Sequence, residues 1–261
     1  MILDHFKLTD KVAIVTGAGR GIGEAIAVAY AEAGAHVAVG ARTQDQIDDT
    51  AEQVRARGTR ALAVQTDVMY EDQLERLVDA TLEEFGRIDI VVNNAGGSPP
   101  KAALETTTKE FDTAFRFNVS TAFALTRIAV PRIVETAGEG AVVNISSSAG
   151  RHNGPGFAAY GTAKSALSFL TKELAQDFAP KVRVNAIAVG STLTQALESF
   201  LTDEMREAMI ATTPMARLGT VEDIAACALY LASPAASYVT GEIYGVNGGL
   251  TSLSAAMPRA F

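Results

Sequence analysis

Short apolar runs alternate along this chain with longer stretches in which apolar residues recur every three or four positions. The runs are continuous rather than alternating, which is typical of strands covered on both faces. They are VAIVT (12–16), HVAVG (36–40), RALAVQ (60–65), IDIVVN (88–93), AVVNIS (141–146), VRVNAIAV (182–189) and EIYGV (242–246). Strand and helix patterns repeated in this way predict an α/β fold, a doubly wound parallel sheet of about seven strands with helices on both faces.

The pattern is interrupted once, by an irregular stretch between the last two predicted strands. Residues 190–219 contain two short helical patterns and no strand pattern. In a doubly wound sheet, loops after the carboxyl ends of strands line the ligand crevice, and irregular segments of this length are usually functional. We therefore expect a single domain over residues 1–261 in which residues 190–219, named the lid below, cover a substrate. The alternative is a surface excursion.

Composition narrows the classes of protein that fit. The chain has 261 residues, of which 48% are hydrophobic and 20% charged, enough for one large core. A net charge of −8 disfavours nucleic acid and anionic membranes as partners, because both require a basic face. Cys227 is the single cysteine and no apolar run is long enough to span a membrane, so we expect a cytoplasmic protein. The histidines, His5, His36 and His152, fit no zinc spacing, so no metal site is predicted.

A glycine-rich turn, TGAGRGIG (16–23), connects the first predicted strand to the first predicted helix. Glycine lets the backbone approach a ligand closely, and the free N–H groups at the helix start form an anion site. The strict G-x-G-x-x-G pattern fails because residue 22 is isoleucine, yet the position after the first strand points to a dinucleotide pyrophosphate and a Rossmann-type fold. The coenzyme-binding residues predicted in this turn are Gly17, Gly19, Arg20, Gly21, Ile22 and Gly23.

The end of the second predicted strand indicates which dinucleotide binds. NAD-specific sites usually place Asp or Glu there to bind the ribose 2′-hydroxyl, whereas this chain reads GART (40–43). Arg42 and Arg20 could instead hold a 2′-phosphate through bidentate hydrogen bonds. NADP(H) is therefore the predicted cofactor. The alternative is NAD(H), with Arg42 facing water and Asp45 binding the ribose.

Ordered motifs over nearly the whole chain resemble those of the short-chain dehydrogenases/reductases. They are TGAGRGIG (16–23), TDV (66–68), NNAG (93–96), FNV (117–119), NISSSAG (144–150), YGTAK (160–164) and VRVNAI (182–187). The second half looks most like bacterial hydroxysteroid dehydrogenases, and 3-oxoacyl carrier-protein reductases share every catalytic motif. The resemblance implies a Rossmann-type fold, an oxidoreductase of alcohols and ketones, and a homotetramer that pairs long helices at about 107–136 and 156–178.

The resemblance also implies four catalytic residues. Tyr160 matches the general acid/base, and Lys164 matches the lysine that lowers the pKa of the tyrosine and holds the nicotinamide ribose. Ser147 matches the serine 13 positions before the tyrosine, although Ser146 and Ser148 flank it. Asn118 matches the asparagine that holds a water linked to the lysine.

Further coenzyme contacts follow from the same resemblance. Asp67 and Val68 match the pair that contacts adenine. The other matches lie beside the adenosine ribose or at the carboxamide end of nicotinamide: Asn94, Ala95, Gly96, Gly190, Thr192 and Thr194. Val189 departs from the family, which usually has proline there. Because valine does not fix φ, we expect a looser turn on the nicotinamide side.

The spacing of Tyr160 and Lys164 has a physical interpretation. Residues i and i+4 share one face of a helix, so the ammonium would lie beside the phenol and favour its ionised form. Lowering a phenol pKa by about three units requires roughly 4 kcal/mol, whereas a solvent-screened pair gives about 1 kcal/mol. The pair must therefore be partly buried under the coenzyme, and we expect the phenol to be activated mainly in the holoenzyme. Ser147 would donate to the substrate oxygen as negative charge develops.

These features predict an NADP(H)-dependent oxidoreductase that interconverts a small-molecule ketone and a secondary alcohol. The lid offers apolar cover for a steroid-like or cyclic substrate: Leu193, Leu197, Phe200, Leu201, Met205 and Met209. One alternative is a 3-oxoacyl-[acyl-carrier-protein] reductase, which the acidic residues of the lid disfavour because carrier proteins are acidic. The other is a non-catalytic NADPH-binding scaffold, which would not need the proton donor.

Overall fold

The protein is described by a computed structural model over residues 1–199 and 201–253. Its sheet has seven parallel strands in the order β3-β2-β1-β4-β5-β6-β7. The strands are β1 (Val12–Thr16), β2 (His36–Ala41), β3 (Ala61–Gln65), β4 (Ile90–Asn93), β5 (Gly140–Ser147), β6 (Val182–Val189) and β7 (Ile243–Val246). The predicted fold class is confirmed, and the ends of every predicted strand lie within about two residues of those observed.

Helices cover both faces of the sheet. In the described residues they are α1 (Gly21–Glu32), α2 (Gln44–Arg55), α3 (Glu71–Phe85), α4 (Thr108–Phe115), α5 (Thr121–Thr136), α6 (Ala158–Phe178), α7 (Gln195–Glu198), α8 (Asp203–Ala211) and α9 (Val221–Ala232). The sequence predicts one continuous helix over 107–136, whereas α4 and α5 are joined by a π-helical turn, Arg116–Ser120. One extra residue in a turn hardly changes the apolar spacing, so the pattern could not reveal it.

The core lies on both faces of the sheet, as continuous apolar strands require. Ala13 and Val15 of β1 pack into the cluster formed with α1, α2 and α9, whereas Ile14 faces the cluster formed with α3, α5 and α6. All five residues of β1 are buried. Because this central strand is held on both faces, the loop that follows it begins at a fixed position.

The direction of the strand order reverses beside β1. β2 and β3 lie on one side of this strand, and β4 to β7 lie on the other. In doubly wound sheets, ligands bind outside the carboxyl ends of the strands at such a switch point. The glycine turn after β1 and the NNAG motif at the end of β4 meet there.

The lid is attached to the rest of the chain near its two ends. The Leu193 N–H donates to the Gly219 carbonyl over 2.8 Å, and the Met215 N–H donates to the Gly248 carbonyl over 3.1 Å. Between these points, neither α7 nor α8 contains a buried residue. The lid is thus hydrogen-bonded to the rest of the chain near its two ends, while its two helices have no buried residue.

Two findings concern the described residues as a group. None of their helices is both long and apolar enough to cross a membrane. Among them, no cluster of three or more His, Cys, Asp and Glu side chains could hold a metal ion.

Candidate active site

The glycine turn after β1 is shaped by the end of β4. Gly17 has a φ of 63°, in the region that favours glycine. A Cβ added to Gly23 would lie 2.5 Å from both the Asn94 side-chain nitrogen and the Gly17 carbonyl oxygen. Asn94 Nδ2 donates to the carbonyls of Thr16 and Gly17 over 2.9 and 3.1 Å. These contacts leave room only for glycine at position 23 and hold the turn in one conformation.

This turn fits a pyrophosphate. α1 begins at Gly21, directly after the turn, and its first N–H groups have no partner within the helix. The helix dipole adds positive potential at the same place, and the absence of side chains on the glycines lets a phosphate approach the backbone. The residues of this turn are therefore the ones that would hold the phosphates of a dinucleotide.

A cleft of about 550 Å³ extends from the glycine turn to the catalytic candidates. Most predicted site residues line it: Gly17, Gly19, Arg20, Gly21, Ile22, Arg42, Asp67, Val68, Asn94, Ala95, Gly96, Ser147, Tyr160, Lys164, Gly190 and Thr194. Three predicted residues lie outside this lining. Gly23 is buried behind the turn, Asn118 is buried beside Gly96, and Thr192 forms a bridge with Gly219 at the base of the lid.

Two side chains on the first turns of α6 meet the end of β5. Tyr160 and Lys164 are one turn apart, and the Lys164 Nζ atom lies 5.8 Å from the centroid of the Tyr160 ring. Nζ also donates to the Ile145 carbonyl over 2.8 Å, and the lysine side chain is buried. The lysine is therefore held between the end of β5 and the phenol rather than exposed on the helix surface.

The three consecutive serines after β5 have different surroundings. Ser146 and Ser148 are buried, and each hydroxyl has a hydrogen-bond partner within the chain. Ser146 Oγ donates to the Lys164 carbonyl over 3.0 Å, and Ser148 Oγ accepts from Asn247 Nδ2 over 3.1 Å. Ser147 is only half-buried, and its oxygen accepts an N–H of the following turn over 3.1 Å, which leaves its proton free to donate. Among the three, Ser147 is therefore the best placed to donate to a ligand in the cleft.

Burial controls the protonation of the tyrosine and the lysine. It raises the pKa of the Tyr160 phenol above its ordinary value, although the nearby Ser147 hydroxyl acts in the opposite direction. It also lowers the pKa of the Lys164 ammonium to about 7. The chain alone thus keeps the phenol protonated and makes the lysine charge easy to lose. Activation of the phenol by the lysine stays a prediction for the holoenzyme.

Asn118 lies in the π-helical turn, which directs its side chain into the interior. Its Oδ1 accepts from the Gly97 N–H over 2.8 Å, while Nδ2 donates to the Gly97 and Ala114 carbonyls over 3.1 and 2.8 Å. A Cβ at Gly96 would lie 2.7 Å from Asn118 Oδ1 and 3.1 Å from Lys164 Nζ. The asparagine therefore shapes the strand-end turn beside the lysine. Since its side-chain amide is engaged by backbone groups, the predicted water would need another atom of this residue.

The cleft also contains residues to which the sequence analysis assigned no contact. They are, among others, Thr43, Gln46, Thr66, Phe117, Gln195 and Ala196. All except Phe117 follow the carboxyl end of a strand, and that position is the signal that could have identified them. Phe117 lies in the π-helical turn and begins the FNV motif (117–119), which is the signal that could have identified it.

Comparison with known proteins places this geometry in a family. A family model described as Enoyl-(Acyl carrier protein) reductase matches residues 17–251 of the chain. A 7alpha-hydroxysteroid dehydrogenase of Escherichia coli (strain K12) is 39% identical over 247 residues, which cover 94% of this chain and 96% of the relative. The chain belongs to the short-chain dehydrogenase/reductase family. It is an oxidoreductase that acts on CH–OH groups with a nicotinamide coenzyme.

Two further comparisons cover nearly the whole length of both chains. An uncharacterized oxidoreductase of Mycobacterium tuberculosis (strain CDC 1551 / Oshkosh) is 53% identical over 252 residues, 96% of each chain. A solved structure of 7 alpha-hydroxysteroid dehydrogenase, complexed with NADH and 7-oxo glycochenodeoxycholic acid, is 38% identical. It has a TM-score of 0.93 and covers 97% of this chain and 99% of that one. The resemblance in the sequence motifs is thereby confirmed.

Proposed function

We propose that this short-chain dehydrogenase/reductase uses NADP(H) to interconvert an apolar ketone, steroid-like or cyclic, and its secondary alcohol. One observation carries the proposal: Ser147, Tyr160 and Lys164 line the same cleft as a glycine turn fitted to a pyrophosphate. A scaffold that only bound the coenzyme would not need a half-buried phenol and a free hydroxyl donor beside it. The non-catalytic alternative is therefore disfavoured.

The residues of the cleft divide the chemistry between them. When bound, the coenzyme supplies the hydride for reduction and accepts it in oxidation. Tyr160 gives its proton to the substrate oxygen, and burial keeps that proton in place by raising the phenol pKa. Ser147 donates a hydrogen bond to the same oxygen as negative charge develops there. Lys164 favours loss of the phenol proton in the reverse reaction when it carries its charge.

The preference for NADP(H) rests on the charges around the cleft. Its lining includes Arg20 and Arg42, both exposed, whereas Asp67 is the sole acidic residue in the lining. Two guanidinium groups suit a 2′-phosphate, and no carboxylate follows β2 in the lining to bind a 2′-hydroxyl. The hydroxysteroid dehydrogenase of the solved structure is complexed with NADH, so the two proteins would differ here.

An Arg42→Ala variant tests the coenzyme preference. Losing a charge-assisted hydrogen bond should lower kcat/KM for NADPH about tenfold or more, while kcat/KM for NADH stays within about twofold. Arg76→Ala, on the exposed side of α3, is the matched control and should change neither value. If wild-type protein uses NADH better than NADPH, the assignment of the two arginines is wrong.

The proposed substrate class rests on the lid. Leu193, Leu197, Leu201, Met205 and Met209 are half-buried, so each keeps apolar surface available to a ligand. Phe200, also predicted here, lies outside the described residues. The acidic residues of α7 and α8 are exposed, against a single arginine, which disfavours docking of an acidic carrier protein.

A turnover screen with both reduced nicotinamides tests the function. The screen compares steroid ketones, small cyclic ketones and 3-oxoacyl thioesters as substrates. We expect the steroid or cyclic ketones to be reduced fastest. Tyr160→Phe should keep NADPH affinity while turnover falls roughly a thousandfold. A 3-oxoacyl thioester as the best substrate would support the carrier-protein alternative, and substantial turnover by Tyr160→Phe would refute the role of the phenol.

We also propose that the working form is a homotetramer. Several phenylalanines of α4, α5 and α6 are exposed in the single chain: Phe111, Phe115, Phe123 and Phe169, with exposed fractions of 37, 37, 43 and 63%. Ala166, Leu170 and Phe178, which also lie on α6, instead pack toward the core. Exposed aromatic side chains on adjacent helices suit burial against another copy. Sedimentation equilibrium of the purified chain tests this directly.

A further inference from the structure

The last residue of β7 and the turn after it, residues 246–250, contact three parts of the candidate active site. We call it the β7 turn. The Gly190 N–H donates to the Val246 carbonyl over 3.0 Å, and a Cβ on Gly190 would lie 2.6 Å from the Cα of Asn247. The Met215 N–H, at the end of the lid, donates to the Gly248 carbonyl over 3.1 Å. The β7 turn therefore supports both the nicotinamide-side turn and the lid.

The third contact is made by the side chain of Asn247. Its Nδ2 donates to Ser148 Oγ over 3.1 Å, and its Oδ1 accepts the Gly249 N–H over 3.1 Å. The second bond fixes the orientation of the amide, so the nitrogen faces the serine. Ser148 is buried and directly follows Ser147, the candidate donor to the substrate oxygen. This part-buried hydrogen bond restrains the segment that carries Ser147.

The end of the lid is packed closely against the same turn. A Cβ on Gly248 would lie 2.6 Å from Thr213 Cγ2 and 3.4 Å from Met215 Cβ. Gly248 also has a φ of 63°, so the close approach and the backbone conformation both require glycine. Because there is no space for a Cβ between them, the end of the lid and the β7 turn are in direct van der Waals contact, and a shift of one displaces the other.

We propose that Asn247 is a positioning residue for the reaction, which sets the place of the Ser147 hydroxyl through Ser148. The amide links the Ser147 segment to the turn on which Gly190 and the end of the lid are seated. A shift of about 1 Å in a group that contacts the transition state can cost up to a hundredfold in rate, so a single restraint of this kind has a measurable effect. The inference rests on the proposed function, because it assigns a role in that same site.

The first test compares two substitutions at this position. Asn247→Ala removes both side-chain hydrogen bonds and should lower kcat about tenfold, with the Kd for NADPH within about twofold of wild type. Asn247→Asp keeps an acceptor for Gly249, and the Ser148 hydroxyl can rotate to donate to the other oxygen. This conservative variant should therefore retain kcat within about threefold.

A matched control separates positioning from stability. Asn185 is a buried amide on β6 whose Nδ2 donates to the Val239 carbonyl over 2.9 Å and whose Oδ1 accepts the Glu242 N–H over 3.0 Å. Like Asn247, it donates one hydrogen bond through Nδ2 and accepts one through Oδ1, but its partners lie in the segment before β7 and not among the serines. Asn185→Ala should lower the midpoint of thermal unfolding like Asn247→Ala but leave kcat unchanged.

A double-mutant cycle identifies the route. If Asn247 acts through Ser148, then Asn247→Ala combined with Ser148→Ala should cost no more in kcat than the larger single effect. Additive losses, a wild-type kcat for Asn247→Ala, or an equal loss of kcat in Asn185→Ala would each overturn the inference.

A readout without turnover keeps this inference separate from the proposed function. The Ser147 hydroxyl lowers the pKa of Tyr160, and Lys164 is the titratable group that packs against the phenol ring. Ultraviolet difference titration against the Tyr160→Phe variant reports the midpoint for that phenol. It should be higher in Asn247→Ala than in wild type and unchanged in Asn185→Ala. If wild-type protein reduces no ketone, the proposed function fails, while an unchanged Tyr160 midpoint in Asn247→Ala contradicts the positioning role.

Discussion

The coenzyme side of this cleft and the lid, the proposed substrate side, are built differently. On the coenzyme side, the glycine turn is fixed by Asn94 and has no room for a Cβ at Gly23. On the substrate side, α7 and α8 of the lid contain no buried residue, and hydrogen bonds hold the lid at its base. The glycine turn is thus held in one conformation by contacts within the chain, whereas the helices of the lid have few such contacts.

This difference suits a family in which one coenzyme is combined with many substrates. A preformed phosphate site loses little entropy on binding, so it can hold the same dinucleotide in every turnover. A lid with half-buried apolar side chains can adapt to the shape of a ligand, because few contacts to the core must be broken. Substitutions on the two sides should therefore have different consequences for stability and for substrate selection.

The largest effect is expected on the preformed side. Gly23→Ala places a methyl group 2.5 Å from the Asn94 amide and the Gly17 carbonyl, so the turn must open. We expect the Kd for NADPH to rise roughly a hundredfold and the free energy of unfolding to fall by about 2–3 kcal/mol. Fluorescence titration and chemical denaturation measure the two changes.

Gly19→Ala is the control for that substitution. Its Cβ would lie 3.0 Å from Gln46 Cβ and 3.1 Å from Gln46 Oε1, contacts that a small shift of α2 relieves. The free energy of unfolding should change by less than about 1 kcal/mol. Equal losses of stability in the two variants would show that the turn is not held by Asn94.

The sequence predicts the sheet well because each strand is a continuous apolar run that ends in a turn signal. β1 and β6 have the predicted ends to the residue. The sequence does not predict the π-helical turn at Asn118, which leaves the apolar period almost unchanged. Nor does it reveal that the Asn94 side chain binds the glycine turn, because that contact joins residues 78 positions apart.

Burial determines a property of the tyrosine and the lysine that the residue pattern does not indicate. The spacing of Tyr160 and Lys164 is visible in the chain, but the depth at which the pair lies depends on β5 and the β4–α4 turn packed around it. That depth makes the lysine charge costly and raises the phenol pKa in the chain alone, while activation of the phenol by the lysine stays a prediction for the holoenzyme. A pattern of residue types contains no measure of desolvation, so this outcome required the structure.

The second prediction concerns the free-energy cost of burying the Lys164 ammonium. Lys164 is buried, and its pKa is lowered from 10.5 to about 7. Lys164→Met removes the desolvation cost, so we expect activity to be lost while the free energy of unfolding rises by about 1–2 kcal/mol near pH 7. Thermal unfolding of both proteins between pH 6 and pH 10 measures the gain.

The sign of the pH dependence follows from linkage. Between pH 7 and 10.5 the unfolded lysine binds more protons than the folded one, so the stability of wild-type protein rises with pH through this window. The advantage of Lys164→Met should therefore be largest near pH 7 and below, and it should shrink toward pH 10.5. Lys172→Met, on the exposed face of the same helix, should show no such trend. An advantage independent of pH would contradict the buried charge.

The smallest effect is expected on the lid. Leu197 of α7 is half-buried in a helix without buried residues, so Leu197→Ala should lower the midpoint of thermal unfolding by less than about 2 °C. Its contact with an apolar substrate is worth about 1 kcal/mol, which raises KM for the best ketone about fivefold and leaves KM for NADPH unchanged. Glu198→Ala, the exposed neighbour, should change neither constant.

Leu167→Ala in the core should instead cost about 2–5 kcal/mol of stability. If Leu197→Ala were as destabilising as Leu167→Ala, the lid would be part of the preformed structure, and the two sides of the cleft would not differ as the burial of their residues indicates.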